Sequence, residues 1–252
     1  MTMEKGHFLR SFIPQKMPDR LVLGSLRFLS VFSFIGLKTI RQHYEENKRI
    51  LSTADFFMRQ KTFIEDQALW GKVKFGTGKH GNMAYSGCEV IAVFNALIAI
   101  KRQNNVQINE DIRADMMCGL IEAFERRGVV RRGEFGVAPT SIRDYFIRNG
   151  LNVRVYDKKE IADDKGNKNE NMPSVFIATF YNHALDITEQ IHTVCITKEK
   201  EGFFIHNSYN RGAAGNYDKK PSSDKGYEDL SEVINNLSDK EPKLIYLLGI
   251  SG

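Results

Sequence analysis

Three side chains in this 252-residue sequence have the types and spacing of a nucleophilic site: Cys88, His192 and Asn207. A thiol attacks as its thiolate, so it needs surroundings that lower its pKa, a base to take its proton, and a group that holds the base in one tautomer. Cys88 follows a segment, Gly71 to Gly87, holding five glycines among Lys, Asn and Ser, and it opens the run CEVIAVFNALIAI. Such a run predicts a buried helix with Cys88 in its first turn, where unpaired N–H groups and the helix dipole favour an anion. A lowered Cys88 pKa is therefore expected. His192 is the candidate base and Asn207 the candidate orienting group. His192 opens one predicted strand and Asn207 closes the next, and a short turn between antiparallel strands sets those outer ends side by side. Taken singly, each residue has an ordinary explanation: cysteine is often a core residue, histidine a satisfied polar group, and Asn-Ser the start of a turn. Their conjunction is what points to chemistry.

The elements that must position these residues can be read from periodicity and punctuation. Leu21 to Leu37 has the highest apolar density in the chain, but it is short for a bilayer span, contains Arg27 and is interrupted by Gly24 and Gly36. It reads as a buried or amphipathic helix, with membrane-surface docking as the alternative. Thr39 to Gln67 is polar and helical in pattern, so residues 1–64 form an N-terminal helical extension. After the Cys88 helix, Asp111 to Arg127 carries an apolar stripe of Ile112, Met116, Leu120 and Phe124, with Gly128 as its C-cap. Thr140 is the expected N-cap of a short helix with Ile142, Phe146 and Ile147 inward, stopped by Gly150, and Val153 and Val155 alternate as a strand. Strands are expected at 174–181, 192–197 and 203–207, with a hairpin turn at 198–202. Loops are expected at 162–171 and 208–226, a short helix at 229–237 and a closing strand at 243–250. Helices first and antiparallel strands later give an α+β fold.

Composition bounds the function. Hydrophobic residues make up 42% and charged residues 27%, which excludes a chain disordered throughout. The net charge of +5 is mild. The basic residues are scattered without interleaved aromatic residues, so no nucleic-acid partner is expected. Arg126, Arg127, Arg131 and Arg132 form the densest basic group, read as a solvated helix end or as a docking patch for an acidic peptide or lipid headgroups. Three cysteines in a chain of this length exclude a disulfide framework, and Cys118 and Cys195 read as structural, Cys195 facing opposite His192 on its strand. His183, His192 and His206 lack metal-ligand spacing with the cysteines, and FGTGKHG at 75–81 lacks the ending of a phosphate-binding loop. No metal and no cofactor is expected.

Residues 81–97, GNMAYSGCEVIAVFNAL, resemble the nucleophile segment of papain-like cysteine peptidases, in particular the bacterial branch related to the bacteriocin-leader (double-glycine) peptidases. IHTVCITKEKEGFFIHNSYN at 191–210 is similar to that family's other half, and Gly136 to Tyr156 is similar to the segment between them. The resemblance implies a papain-like domain over 65–252, with a central buried helix carrying the nucleophile against an antiparallel sheet. It also implies a Cys88, His192 and Asn207 triad that cleaves an amide bond of a peptide or protein through an acyl-enzyme. The family's oxyanion glutamine is matched here by Asn82, one methylene shorter, with the Cys88 N–H as second donor; His80 is a further polar group nearby. Glu89 is expected to serve structurally in the helix's first turn. The same fold would also suit an acyltransferase or transglutaminase-like enzyme, or a catalytically inactive binding module. The expected location is cytoplasmic, with membrane-surface contact through residues 21–37 as the variant.

Overall fold

A computed structural model describes residues 18–53, 57, 62–163, 172–181, 191–208, 226–237 and 243–251. Two predicted loops, 162–171 and 208–226, lie largely outside the described residues, and His183 lies outside them. Helices α1 (Asp19–Val31), α2 (Leu37–Leu51), α3 (Met83–Ser86), α4 (Cys88–Gln103), α5 (Glu110–Arg126) and α6 (Pro139–Arg148) precede the first strand. There follow β1 (Asn152–Tyr156), α7 (Lys158–Asp163), β2 (Val175–Tyr181), β3 (Ile191–Glu199), β4 (Gly202–His206), α8 (Leu230–Asn235) and β5 (Lys243–Ser251). The fold is mixed α+β, with one antiparallel five-stranded sheet in the order β1-β5-β2-β3-β4.

The run that begins at Cys88 does form a helix closed in on nearly all sides: twelve of the sixteen residues of α4 are buried. Its side chains pack on β2 and β3. Strand alternation splits the core in two. Val175, Ile177, Cys195, Leu248 and Ile250 face the α4 side, where Ile91, Phe94, Leu120, Phe124 and Phe146 pack. Phe176, Ala178, Phe180, Val194 and Ile196 face the other side, against Phe203, Ile205, Leu230 and Val233. Burying each such side chain contributes ~1.5–3 kcal/mol. The first helices join the α4 side: Ile35, Ile40, Leu51, Phe57, Phe63 and Ile64 lie in the same buried cluster as Phe94.

Three helices differ in detail from expectation. None of the residues of α1 is buried, so the most apolar segment of the chain lies on the surface. α5 begins at Glu110 because the Asn109 side chain caps it, accepting from the Ile112 N–H at 2.9 Å. Its buried stripe is Ala114, Met117, Cys118, Leu120, Ile121 and Phe124, rotated away from Ile112, which is 43% exposed. α6 starts at Pro139, whose fixed φ and missing N–H suit the first helical position, so Thr140 lies inside the helix and Ile147 is left exposed. Among the described residues, no helix is long and apolar enough to cross a membrane.

Candidate functional site

Cys88 is the first residue of α4, and Gly87 is what lets the chain turn from α3 into it. A side chain at Gly87 would place its Cβ 2.6 Å from the Met83 carbonyl oxygen and 2.7 Å from the Met83 sulfur. The thiol is buried beside Thr193 of β3 and the Glu89 carboxyl. Its pKa lies well above the ordinary thiol value of 9.0, because burial disfavours the thiolate and the neighbouring Glu89 charge adds to that. Main-chain N–H groups of Thr193 and Glu89 act in the opposite sense and are outweighed. The lowered pKa expected from the helix terminus is thus corrected: a partial positive charge at a helix end does not offset complete desolvation next to a carboxylate.

Glu89 is more than a first-turn acid. Its carboxyl is buried and its pKa is pushed up to about 7 by desolvation, against smaller opposing contributions from its own and the Val137 main-chain N–H groups and from the Cys88 thiol, which donates to it. It rests directly on Gly136, where a Cβ would lie 2.3 Å from Glu89 Oε2 and where φ is +65°, so glycine is required twice over. Among the described residues, Oε2 has no hydrogen-bond partner. An unpartnered carboxyl oxygen in a buried setting favours the neutral acid.

His192 lies near the start of β3 with its ring nitrogen Nε2 2.7 Å from the main-chain oxygen of Asn207. That partner can only accept, so Nε2 carries the proton in the neutral ring and Nδ1 is the bare nitrogen. Burial lowers the His192 pKa from 6.5 to about 4, and the Asn207 oxygen opposes this weakly. The ring stands edge-on to Phe180, with centroids 5.7 Å apart, on the sheet face opposite Cys195. The β3–β4 ladder closes at Cys195 and His206, and Asn207 then leaves it with φ +60°, which carries its oxygen back to the histidine. Cys88 thus lies beside Thr193, on the α4 side of the sheet, whereas alternation turns the adjacent His192 to the Phe180 face, so the structure does not bring the ring onto the thiol. Among the described residues, no hydrogen bond joins the thiol to the ring.

Asn207 does hold His192, but with its backbone. Its side chain is spent elsewhere: Oδ1 accepts from the Gln67 N–H at 3.1 Å and Nδ2 donates to Gln67 Oε1 at 3.2 Å. Glu65 completes the clamp, one oxygen accepting from the Asn207 N–H at 3.1 Å and the other lying 2.7 Å from His206 Nδ1. His206 Nε2 is 2.9 Å from Thr197 Oγ1. Gln67 donates onward to the carbonyls of Met83 and Ala84 in α3, tying the histidine end of the site to the cysteine end. Glu65, Gln67 and His206 were not foreseen. The separation of Gln67 from Asn207 is 140 residues, and no local pattern marks it; only the His206-Asn207 step at a strand end carried a hint.

Asn82 caps α3: its Oδ1 accepts from the Tyr85 N–H at 3.1 Å and its Nδ2 donates to the His80 carbonyl at 3.0 Å. Both ends of the amide are engaged by its own loop. The His80 ring stacks on Tyr85 with centroids 3.7 Å apart, on the exposed side. Among the described residues, no group of three His, Cys, Asp or Glu side chains is placed to hold a metal ion. Chemically, the arrangement offers a protonated thiol hydrogen-bonded to a buried acid, and, on the other face of β3, a neutral imidazole fixed in its Nε2–H tautomer. Comparison with protein-family models, with curated proteins and with solved structures returns no match for this chain.

Proposed function

We propose that this protein is a papain-like thiol hydrolase that cleaves amide bonds of a peptide or protein, held here in a resting protonation state. The observation that carries the reading is the anchoring of His192 by the Asn207 carbonyl at 2.7 Å, at the residue next to the one whose N–H neighbours the Cys88 sulfur. That anchor leaves Nδ1 as the proton acceptor, which is what a cysteine nucleophile requires of its base. The reaction requires the His192 ring to turn from the Phe180 face to the Cys88 side. Cys88 Sγ then attacks the carbonyl carbon as His192 Nδ1 takes the thiol proton, and the N–H of Cys88 stabilises the oxyanion. Asn82 Nδ2 adds a second donor when it exchanges the His80 carbonyl for the oxyanion. The C–N bond then breaks and the amine leaves with the proton from His192. Water attacks the thioester, gives its proton to His192, and the C–S bond breaks to release the acid and restore the thiol.

A second reading has its own support: the raised Cys88 pKa and the low His192 pKa describe a pair at rest as neutral groups, as in a papain-like module that binds peptides without cutting them. Turnover of a peptide library by the wild type, Cys88→Ala and His192→Ala separates the two. The hydrolase reading expects cleavage by the wild type only, with an acyl-enzyme on Cys88 visible by mass spectrometry. Cleavage that persists in Cys88→Ala, or peptide retention by all three proteins without cleavage, overturns it.

A further inference from the structure

The surface left over from this account is the one around α1. Between Arg20 and Tyr44 the sequence contains no Asp or Glu. Over the same stretch Phe28 is 63% exposed, Val31 73%, Phe32 72%, Phe34 74% and Leu37 63%. The half-buried side of α1, Val22, Leu23 and Leu26, faces the protein, so Leu21, Phe28 and Val31 form a second apolar stripe at helical spacing that faces outward. Phe28 and Phe32 pack on one another, with ring centroids 4.8 Å apart. A contiguous exposed apolar patch of this kind marks a binding surface rather than ordinary scatter.

The tip of this patch adjoins a basic groove. Phe32 and Ser33 line a cleft of about 530 Å³ together with Thr77, Lys79, Arg131, Arg132 and Glu134. The Arg132 N–H donates to Ser33 Oγ at 3.0 Å, which ties groove and tip together. Arg131 and Arg132 both have positive φ, +48° and +59°, a conformation that costs energy in two successive non-glycine residues and that holds both guanidinium stems at the cleft. Glu134 pairs with Arg131 at 3.3 Å. Lys79 and Arg132, like Arg20, Arg27, Lys38 and Arg41 beside the apolar stripe, have no carboxylate partner among the described residues.

We infer that α1 and the turn after it dock this protein on an anionic phospholipid surface, with Phe28, Phe32 and Phe34 in the acyl–headgroup boundary and a lipid phosphate in the Lys79–Arg132 groove. The occupant follows from the charge pattern. Beside the aromatic side chains stand Arg20, Arg27, Lys38 and Arg41. In the groove Glu134 is already matched by Arg131, so Lys79 and Arg132 leave an excess of positive charge that suits an anionic interface and not a neutral one. The helix lies in the surface and does not cross it, in keeping with its length of 13 residues.

The test uses the full chain and vesicles of phosphatidylcholine, alone or mixed with phosphatidylglycerol. Co-sedimentation is expected with the mixed vesicles only, and is lost at high salt. Replacing Phe28, Phe32 and Phe34 by Ser lowers the partition coefficient ~100-fold, and Lys79→Gln with Arg132→Gly lowers it ~30-fold. These positions are exposed, so thermal melts of the variants should not fall below the wild type, Arg132→Gly relieving a positive φ. Equal binding to neutral and anionic vesicles, or none to either, overturns the inference. So does self-association in solution that Phe32→Ser abolishes, which would make the occupant a second copy of the chain. Binding of free glycerol phosphate without vesicle recruitment would make the groove a small-anion site and also overturns it. None of these outcomes depends on Cys88.

Discussion

Glu89 governs what Cys88 is able to do at rest. Burial is the first cause of the raised thiol pKa and the Glu89 carboxylate the second, so Glu89→Gln removes the second and the thiol hydrogen bond to a charge with it. Alkylation of Cys88 by iodoacetamide at mildly alkaline pH should then run ~10-fold faster, since each pKa unit is a tenfold change in thiolate. Measurement against a Cys88→Ser background subtracts Cys118 and Cys195; an unchanged rate would show that Glu89 does not control the thiol. The same carboxyl affects stability. Its pKa is 4.5 in the unfolded chain and about 7 in the fold, so protonation favours the fold. That contribution is complete below pH 4.5, declines as pH rises, and is gone above about 7, about 3 kcal/mol in all. His192 has the opposite sign: its pKa falls from 6.5 to about 4, so its contribution is complete above 6.5 and is lost as pH falls toward 4. Between pH 4.5 and 6.5 the two slopes cancel. Urea unfolding should therefore show the stability of Glu89→Gln relative to the wild type rising by about 3 kcal/mol from pH 4.5 to 7, and a difference independent of pH would refute the assignment.

At the scale of elements, the site depends on the segment before α3 more than on the hairpin that carries the histidine. The ladder of β3 and β4 has ended before His192, and it is Glu65 and Gln67 that hold Asn207 in its left-handed conformation. Because the anchor of His192 is a carbonyl oxygen, the Asn207 side chain is dispensable for the tautomer and matters for the clamp. Asn207→Gly keeps both the φ and the carbonyl, so its kcat should stay within ~10-fold of the wild type, whereas Asn207→Ala adds ~1–3 kcal/mol of backbone strain and loses more. If Asn207→Gly is as inactive as His192→Ala, the side chain has a role that this geometry does not give it. The second tie is Asn95 of α4, whose amide pairs with both the N–H and the C=O of Ile64 and fixes the clamp segment to the nucleophile helix.

Across the whole molecule, the first helices belong to the core that carries α4, even though the sequence marks them as an extension. Ile40 and Leu51 of α2 are buried in the cluster that contains Phe57, Phe94 and Phe124, and α2 packs along α5. Ile40→Ala should cost ~2–5 kcal/mol, read as a lower urea midpoint of a single transition that includes the site. Leu21→Ala, at a side chain 56% exposed, should cost less than ~0.5 kcal/mol. A separate early transition in Ile40→Ala, with the sheet intact, would mean that the first helices unfold on their own. The contrast assigns α2 to stability and leaves α1 free for another task.

Local features follow from the order of residues alone. The uninterrupted apolar run made α4 a buried helix, Gly87 placed its start at Cys88, and a short turn made the β3–β4 hairpin, so the positions of Cys88 and His192 were legible, whereas Asn207 lies one residue past the strand it was expected to close. Which groups these residues meet depends on how the elements pack. Strand order brought β5, the last strand, between β1 and β2, and packing put Gln67 on Asn207 across 140 residues. It also set the face to which His192 turns and the charge state of Cys88. Periodicity is carried by neighbours in the chain, whereas burial and hydrogen-bond partners are set by neighbours in space. A helix terminus therefore pointed to an ionised thiol, and desolvation beside Glu89 made it a protonated one.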